Sequence, residues 1–465
     1  MGSDNLKENI NYKKIHMIGI GGVSMSGIAS ILLSWGYEIS GSDGVKSEMT
    51  EKLEKQGAKI YIGHDANNIV SPDLVVYTAA ISKDNPELLK AKELGIKIME
   101  RAEFLGELTK LYSKTIAISG THGKTTTTGM ISLCFIEAML DPSIQIGSVL
   151  SQIDGNYKVG TSDYFIIEAC EYVDSFLSFY PQTEIILNIE EEHLDYFSGI
   201  DQIKQSFIKF TNILPTKGNL IINIDNVECV DILKNMRKDI NIYTYSLKDE
   251  NADIYGYNIR YDDNGFGIFD VKYKNNIIKD IKLNVPGIHN ISNACSAIGT
   301  CIAHNIDFET IKTGLAKFTG TKRRFEFKGR TITEATVIDD YAHHPTEVKA
   351  LLNSVKKKEN GKVYAIFQPH TYSRLKNLLN DFSTCFDNAD IVIVTDIYAA
   401  REIDDGTVKS QILVDLINEK TPNKSIYISS FEDIAKYLNT NTNKADIILT
   451  IGAGTITKLS QYIVK

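Results

Sequence analysis

The chain has 465 residues, of which 43% are hydrophobic and 23% charged, and its formal net charge is -9. This length predicts about three domains, and the acidic balance argues against a nucleic-acid partner, because a phosphate backbone is bound by a surplus of Lys and Arg. No apolar run approaches the ~18 residues of a membrane span, and the polar N-terminus is unlike a secretory signal. The six cysteines are scattered without a Cys-x-x-Cys pair, which is typical of reduced thiols. We therefore expect a cytoplasmic protein with no membrane association.

The first hundred residues alternate β-like runs with helical patterns, which predicts a parallel, doubly wound sheet. The β-like runs are Ile15–Gly19, Glu38–Ser40, Leu74–Thr78 and Ile96–Met99, and the helical patterns are Ser26–Trp35, Glu48–Gln56, Pro86–Leu94 and Arg101–Tyr112. A new β-like run starts directly after the last of these helices, so we place a domain boundary near residues 108–114.

The rest of the chain predicts a central block with a mixed sheet and a third block of βα units. The central block has βα units to about residue 245, an antiparallel hairpin (Ile254–Arg260, Phe266–Tyr273) and two helices (His289–His304, Phe308–Lys317), and Gly320–Arg323 looks like a linker. The third block has β-like runs at Thr336–Asp340, Val363–Phe367, Ile391–Thr395 and Ile447–Ile451. The predicted fold class is thus α/β with three domains at 1–110, 111–321 and 322–465: a Rossmann-like N-terminal domain, a P-loop central domain with a mixed sheet, and a Rossmann-like C-terminal domain.

A glycine-rich turn joins the strand-like run Thr115–Ser119 to a helical stretch. It reads Gly120-Thr121-His122-Gly123-Lys124-Thr125-Thr126. A strand, a glycine turn and a helix N-terminus together point backbone N–H groups and the positive end of the helix dipole at phosphate oxygens. Lys124 can reach the terminal phosphates and the Thr125 hydroxyl can bind Mg²⁺. The first glycine of the full Walker pattern is replaced by Ile118, and the alternative is an ordinary Thr-rich helix start.

A second glycine turn, Gly19-Ile20-Gly21-Gly22, follows the first β-like run, and Asp43 lies about twenty residues further on. The spacing is close to a dinucleotide-binding fingerprint, although the third glycine is replaced by Ser24. The same geometry holds any pyrophosphate, including that of a UDP-sugar. The alternative is a tight turn that only allows close helix–strand packing.

Acidic residues and a histidine follow two apolar runs of the central block. Glu168 ends the run Phe165–Ile167, and His193 follows the run Ile185–Leu187. Both are predicted at the sheet edge where the phosphate turn lies, so Glu168 and His193 are candidate ligands of a hard cation. We interpret Glu171 and 190–192 as solvated or capping charges. For His193 the alternative is a hydrogen-bonded loop histidine.

Three further patterns lie towards the C-terminus. His289 and Asn293 share one helix face and can reach a purine edge or ribose, or simply cap the helix. Arg323 and Arg324 lie in the predicted linker, where a cation can contact ATP. The segments 339–345 and 367–374 each end a β-like run, and Arg374 could hold an amino-acid carboxylate bidentately; capping turns are the alternative.

Taken in order, these motifs resemble the Mur ligase family. The match includes 15–22, 25–27, 40–43, Gly120–Thr126, Glu168-Ala169, Asn188 with His193, 287–294, Arg324-Phe325, 339–345 and 368–370. The resemblance implies three domains that bind a UDP-sugar, ATP with Mg²⁺, and an amino acid. It also implies the reaction: an amide is formed between L-alanine and the lactyl carboxylate of UDP-N-acetylmuramate through an acyl phosphate, with release of ADP and phosphate, in peptidoglycan precursor synthesis.

The resemblance also carries the family's site residues onto this chain. It implies a metal site at Thr125, Glu168 and His193, and an ATP site at Gly120–Thr126, His289, Asn293, Arg323 or Arg324, and Asp340. It implies an amino-acid site at Tyr341, His343 and Arg374, with His343 or a neighbouring carboxylate accepting the amine proton. It implies a UDP-sugar site at Gly19, Gly21, Gly22, Ser24, Met25, Asp43, His64, Thr78 and Ala79. The chain departs from several relatives by Cys170 in place of Asp and from some by Thr371 in place of Arg.

Three other functions stay open at this stage. The first glycine turn with Asp43 is compatible with a nicotinamide-dependent oxidoreductase, which would leave the phosphate turn unexplained. A non-catalytic nucleotide-binding module is the second. The third is a recycling ligase that adds a whole peptide to muramate, although its first glycine turn usually differs from Gly21-Gly22. Mn²⁺ can replace Mg²⁺ in such sites, and a monomer and a homodimer are equally compatible with the sequence.

Overall fold

The computed structural model describes residues 12–193, 196–263, 265–355, 360–400 and 402–465. These residues form two compact units. The first unit extends through Tyr257 and also includes Val271–Ile278 and Asn293–Lys317, and the second unit consists of Asn258–Asp270, Lys279–Ser292 and Phe318–Lys465. None of the helices in the described ranges combines the length and apolar character that crossing a bilayer requires.

The first sheet has five parallel strands in the order β3-β2-β1-β4-β5. The strands are β1 Lys14–Ile18, β2 Glu38–Asp43, β3 Lys59–Ile62, β4 Leu74–Tyr77 and β5 Lys97–Glu100, and the helices are α1 Val23–Ser34, α2 Glu48–Lys55, α3 Pro86–Glu93 and α4 Arg101–Leu111. The doubly wound prediction is confirmed, and the sequence missed only β3. The strand order reverses between β1 and β4, and ligands of such sheets bind beyond the carboxyl ends of the strands at this point.

The second sheet has ten strands in the order β15-β14-β13-β12-β11-β10-β6-β9-β7-β8. They are β6 Lys114–Ser119, β7 Ser143–Leu150, β8 Gly155–Lys158, β9 Tyr164–Glu168, β10 Thr183–Ile186, β11 Asn219–Asn223, β12 Asn241–Ser246, β13 Ile254–Tyr261, β14 Phe266–Tyr273 and β15 Asn276–Pro286. The accompanying helices are α5 Lys124–Glu137, α6 Ile200–Thr211, α7 Val227–Leu233, α8 Ile288–Ala303 and α9 Phe308–Lys317. Parallel pairs surround β6 and an antiparallel pair, β7 with β8, closes one edge, so the predicted mixed sheet is confirmed.

The third sheet has the order β16-β17-β21-β18-β19-β20 and is parallel except for the pair of β16 with β17. Its strands are β16 Glu326–Arg330, β17 Thr336–Asp340, β18 Val363–Phe367, β19 Ile391–Val394, β20 Ser425–Tyr427 and β21 Ile447–Ile451. Its helices are α10 Pro345–Ser354, α11 Tyr372–Asn377, α12 Leu379–Phe382, α13 Ser410–Lys420, α14 Phe431–Asn441 and α15 Ser460–Ile463. Short 3₁₀ segments lie at Ala66–Asn68, Ser151–Ile153, Tyr172–Ser178 and Thr455–Leu459.

Within the first unit, the five-stranded and ten-stranded regions pack closely on each other. A Cβ atom on Gly106, in α4, would lie 2.1 Å from the Ser178 carbonyl oxygen, so only glycine allows this approach. The Gln145 side chain of β7 donates from Nε2 to the Ser24 hydroxyl, over 2.7 Å, and to its carbonyl, over 3.1 Å. Asn156 donates to the Val23 carbonyl over 2.6 Å. The start of α1 is therefore fixed by side chains of the central sheet.

Candidate active site

The turn after β6 has the backbone of a phosphate-binding loop. Gly120 and Gly123 have φ angles of +130° and +87°, in the left-handed region that glycine adopts without strain. A Cβ on Gly120 would lie 3.1 Å from the Asn188 backbone nitrogen, and one on Gly123 would lie 2.7 Å from the Asn293 Oδ1. Asn188, after β10, accepts from the backbone N–H groups of Thr121, over 3.0 Å, and His122, over 2.7 Å. The turn is therefore held in shape from the neighbouring strand, and α5 begins at Lys124.

Lys124 points back over this turn. Its Nζ donates to the Thr121 carbonyl over 3.1 Å and to Glu171 Oε2 over 3.0 Å. The Glu171 side chain is only 2% exposed and that of Lys124 16%, so the two form a largely buried ion pair. Burial by itself lowers the pKa of Lys124, but the neighbouring acidic groups, Glu171 foremost, outweigh it and raise that pKa. The interpretation of Glu171 as a solvated or capping charge was wrong, because strand β9 delivers it beneath the lysine rather than into water.

The candidate cation ligands lie beside the same turn. The Thr125 hydroxyl donates to Glu168 Oε2 over 3.2 Å, and the Gly147 N–H donates to the other carboxylate oxygen. His193 has a φ of +56°, and its Nε2 lies 3.9 Å from Glu171 Oε1. A hydroxyl and a carboxylate that already touch are oxygen donors of the kind that a hard divalent cation takes, so these residues fit such an ion. Glu171 joins His193 to Lys124 and belongs to the site.

Asn293 lies beside the turn, and His122 of the turn has an acidic neighbour. Asn293 is buried in α8, and its Oδ1 lies beside Gly123, as the Cβ position of that glycine shows. His122 Nε2 lies 3.5 Å from Glu190 Oε2, and the Thr121 hydroxyl accepts from the Glu190 N–H over 2.9 Å. The first unit therefore brings together the phosphate turn, both predicted acid and imidazole ligands, and Asn293.

The glycine turn after β1 is closed by its own strand neighbours. The N–H groups of Gly19 and Ile20 donate to the Ser42 carbonyl, over 2.8 and 3.0 Å, and that of Gly21 donates to Asp43 Oδ2 over 2.9 Å. Gly19 has a φ of +80°, and a Cβ there would lie 2.6 Å from Thr78 Cγ2. The Asp43 carboxylate thus stabilises the turn itself.

The other residues predicted for the UDP-sugar site differ in accessibility. The Met25 side chain is 1% exposed and lies in the core, so the structure does not present that side chain to solvent, and its predicted role stays a prediction. Ser24 is half-buried, and its hydroxyl accepts from Gln145 and from Arg101 Nη1, the latter over 3.3 Å. Ala79 is exposed beyond the carboxyl end of β4.

In the second unit, the two adjacent arginines have different surroundings. The Arg323 guanidinium donates to the carbonyls of Gly452, over 2.5 Å, and Gly454, over 3.2 Å, and its Nε lies 3.6 Å from the buried Asp339. Arg323 therefore holds the loop after β21. Arg324 lies 5.1 Å above the Tyr341 ring. Its Nη1 also lies 3.7 Å from Glu347 Oε1, so the surroundings of Arg324 are side chains rather than the carbonyls that Arg323 contacts.

Asp340 ends β17 and is held by backbone groups on both sides. Its oxygens accept from the N–H groups of Phe325, over 2.7 Å, and Ala342, over 2.8 Å. Burial raises the pKa of Asp340 to about 6, although the Arg324 charge and these two donors act in the opposite direction. His289, at the start of α8, is exposed and lies against Gly287.

The residues predicted for the amino-acid site lie together in the second unit. The Tyr341 and His343 rings are 5.4 Å apart, and the His343 and His370 rings are 6.0 Å apart. Arg374 donates from Nη1 to the His370 carbonyl over 3.0 Å, and His343 Nδ1 donates to the Tyr341 carbonyl over 3.0 Å. The sequence interpretation missed Glu347, which accepts from the His343 N–H over 2.9 Å. The available signal was its position three residues after the helix N-cap His344, which is the spacing of a capping box.

Three family models match successive parts of the chain. Their descriptions are "Mur ligase family, catalytic domain" over residues 14–113, "Mur ligase middle domain" over 118–301, and "Mur ligase, glutamate ligase domain" over 323–454. This chain belongs to the Mur ligase family. The family is ATP-dependent, which accounts for the phosphate turn and implies a divalent cation beside it.

The relatives are similar over nearly the whole chain. The UDP-N-acetylmuramate–L-alanine ligase of Acetivibrio thermocellus is 48% identical over 98% of this chain and 96% of its own length. That of Clostridium acetobutylicum is 50% identical over 99% of each chain. The solved structure of the UDP-N-acetylmuramate–alanine ligase of Thermotoga maritima has a TM-score of 0.81 and 27% identity, covering 96% of this chain and 97% of its own. A murein peptide ligase of Psychrobacter arcticus has a TM-score of 0.72 and 25% identity, with the same coverage.

Proposed function

We propose that this protein is the ATP-dependent ligase that joins L-alanine to the lactyl carboxylate of UDP-N-acetylmuramate, with formation of ADP and phosphate, in peptidoglycan precursor synthesis. The observation that carries the proposal is the phosphate turn with Lys124 at the start of α5 and Thr125 in contact with Glu168. Two relatives named for this reaction, 48% and 50% identical along nearly the full chain, support the choice of substrates.

We assign residues 1–110 to the UDP-sugar, 111–321 to ATP and its cation, and 322–465 to the amino acid. The amides of Gly120–Thr126 and Lys124 bind the phosphates, and Asn293, His289 and Arg324 contact the rest of the nucleotide. Thr125, Glu168 and His193 would hold Mg²⁺, which would supply charge neutralisation for the transferring phosphoryl group. Arg374 binds the alanine carboxylate as a fixed, planar donor.

The chemistry of this chain's residues follows from the charge that has to be stabilised. The sugar carboxylate attacks the γ-phosphate of ATP, and the Lys124 ammonium and the amides of the turn neutralise the developing charge. The resulting acyl phosphate is attacked by the alanine amine, and phosphate leaves. His343 donates Nδ1–H to the Tyr341 carbonyl, so its Nε2 is the ring atom that can accept the amine proton.

The test is phosphate release by the purified protein with UDP-N-acetylmuramate and ATP, in parallel reactions that contain L-alanine, glycine, L-serine or a tripeptide. We expect turnover to be fastest with L-alanine and a product mass equal to the amide. Removal of divalent cations with a chelator, followed by addition of Mg²⁺ or Mn²⁺, tests whether phosphate release requires such a cation. Faster turnover with the tripeptide would replace this proposal by a peptide-adding ligase, and phosphate release with no amide product would contradict ligation.

A further inference from the structure

A buried carboxylate lies at the centre of a polar cluster in the five-stranded region. Glu87, in the first turn of α3, is 0% exposed. It accepts from the Ser42 hydroxyl over 2.6 Å, from Asn68 Nδ2 over 2.6 Å, and from His64 Nδ1 over 3.0 Å. His16 Nε2 lies 3.6 Å from the same carboxylate. Four polar groups from separate elements therefore surround one carboxylate that has no part in the proposed phosphoryl transfer.

Ser42 joins this cluster to the glycine turn. The Ser42 carbonyl accepts the N–H groups of Gly19 and Ile20, while its hydroxyl donates to Glu87. His64 follows β3, at the same carboxyl edge of the parallel sheet. The imidazole is therefore next to the turn that is proposed to hold the UDP pyrophosphate.

The Glu87 carboxylate determines which nitrogen of the His64 ring carries the hydrogen. Burial by itself would raise the pKa of Glu87, but the nearby His16 ring and the hydrogen bonds from Ser42, Asn68 and His64 lower it to about 2. An ionised carboxylate can only accept hydrogen bonds, so His64 Nδ1 must carry the hydrogen. The side chain of His64 is 25% exposed, and since Nδ1 faces the buried acid, the exposed edge of the ring carries Nε2.

We propose that Glu87 is a positioning residue for the nucleotide diphosphate: it fixes the His64 ring and its Nδ1–H form, and thereby presents Nε2 to the UDP moiety of the substrate. This inference rests on the proposed function, because it takes the UDP-sugar as the ligand of this edge. Buried carboxylates that orient the histidines of metal sites act in the same way, and their loss weakens binding by about ten-fold or more.

The experiment measures binding of UDP and of UDP-N-acetylmuramate by titration calorimetry to the full chain and to Glu87→Gln, His64→Ala and the double variant. We expect each single change to raise the Kd for UDP by about ten-fold, and the second change to add less than about two-fold, because Glu87 acts through His64. The Kd for ATP stays within about two-fold in all of them. The matched control is Glu93→Gln, in the same helix, whose exposed side chain pairs only with Lys90 within the ion pairs described.

The ¹⁵N spectrum of the histidines adds a readout that a purely structural role would not move. We expect the neutral form of His64 to carry its hydrogen on Nδ1 in the unaltered protein, and this measurement holds even if Glu87→Gln fails to fold. An Nε2–H form in the unaltered protein, unchanged UDP binding in Glu87→Gln, or an equally large loss in the His64→Ala background would overturn the inference. If the protein turns over but Glu87→Gln binds UDP normally, the inference fails and the proposed function stands. If Glu87→Gln weakens UDP binding but the unaltered protein shows no ligase turnover, only the proposed function fails.

Discussion

Replacing Lys124 by alanine removes two electrostatic contributions at once. In the proposed function the ammonium neutralises charge on the transferring phosphoryl group, and in the structure it is the partner of Glu171, whose side chain is 2% exposed. The first loss costs turnover, and the second leaves a carboxylate buried without its counter-charge. The variant is therefore expected to lose both activity and stability, and the two effects have to be separated.

The magnitudes follow from burial. Loss of one charge-stabilising donor lowers turnover by about 10²–10³-fold. Removal of one partner of a buried pair lowers the free energy of unfolding by about 3 kcal/mol. The pKa of Lys124 is raised in the folded chain, so the stability that its charge contributes is fully present below the ordinary lysine pKa and is lost only as the pH rises through the folded value. Measurements near pH 7.5 therefore include the whole contribution.

The assay compares Lys124→Ala with the double variant Lys124→Ala/Glu171→Gln. Thermal unfolding and ADP release are measured on the same preparations. In the double variant the buried negative charge is gone, so we expect most of the lost stability to return while turnover stays low. Near-normal ADP release by Lys124→Ala would refute the role of the lysine, and a double variant as unstable as the single one would refute the account of the buried pair.

Three further predictions follow from single residues. Gly314→Ala would place a Cβ 2.6 Å from the Cys134 Cα, so we expect a loss of about 1–3 kcal/mol in thermal unfolding, whereas Gly44→Ala, with nothing within 4 Å, should be neutral. Burial raises the folded pKa of Asp340 to about 6, so the protonated carboxyl is favoured in the folded chain and the free energy of unfolding falls as the pH rises towards that value. Asp340→Asn does not titrate, so its unfolding midpoint should rise relative to that of the unaltered protein between about pH 4 and 6. Glu168→Gln should lower phosphate release at least about 10²-fold and raise the Mg²⁺ concentration that is required, as a titration of activity and of Mg²⁺-dependent ATP binding would show.

The parts of the fold that the sequence predicts are those with strong local patterns. The apolar runs that the sequence analysis named are strands in the structure, and the glycine turn at Gly120 lies between a strand and a helix as expected, because apolar runs bounded by glycine or helix starts are local signals. Other strands were not named. The edge strands Lys59–Ile62, Gly155–Lys158 and Ser425–Tyr427 are short, and the first is partly exposed, which leaves no continuous apolar run; Ser143–Leu150, Asn276–Pro286 and Glu326–Arg330 were also missed. The Mur ligase resemblance supplied the function, since no single motif specifies L-alanine.

The site residues that the sequence misjudged are those whose role depends on a distant partner. Glu171 looks like a solvated charge until Lys124, 47 positions earlier, is folded over it. The sequence does not distinguish Arg323 from Arg324, yet the Arg323 guanidinium donates to the carbonyls after β21, whereas Arg324 lies 3.7 Å from Glu347. Position at a strand end is thus a local property that sequence reveals, whereas the choice between water, an internal partner and a substrate is made by another element of the fold. Function is therefore tested most directly by changing a buried charge at a strand end both alone and together with its ion-pair partner.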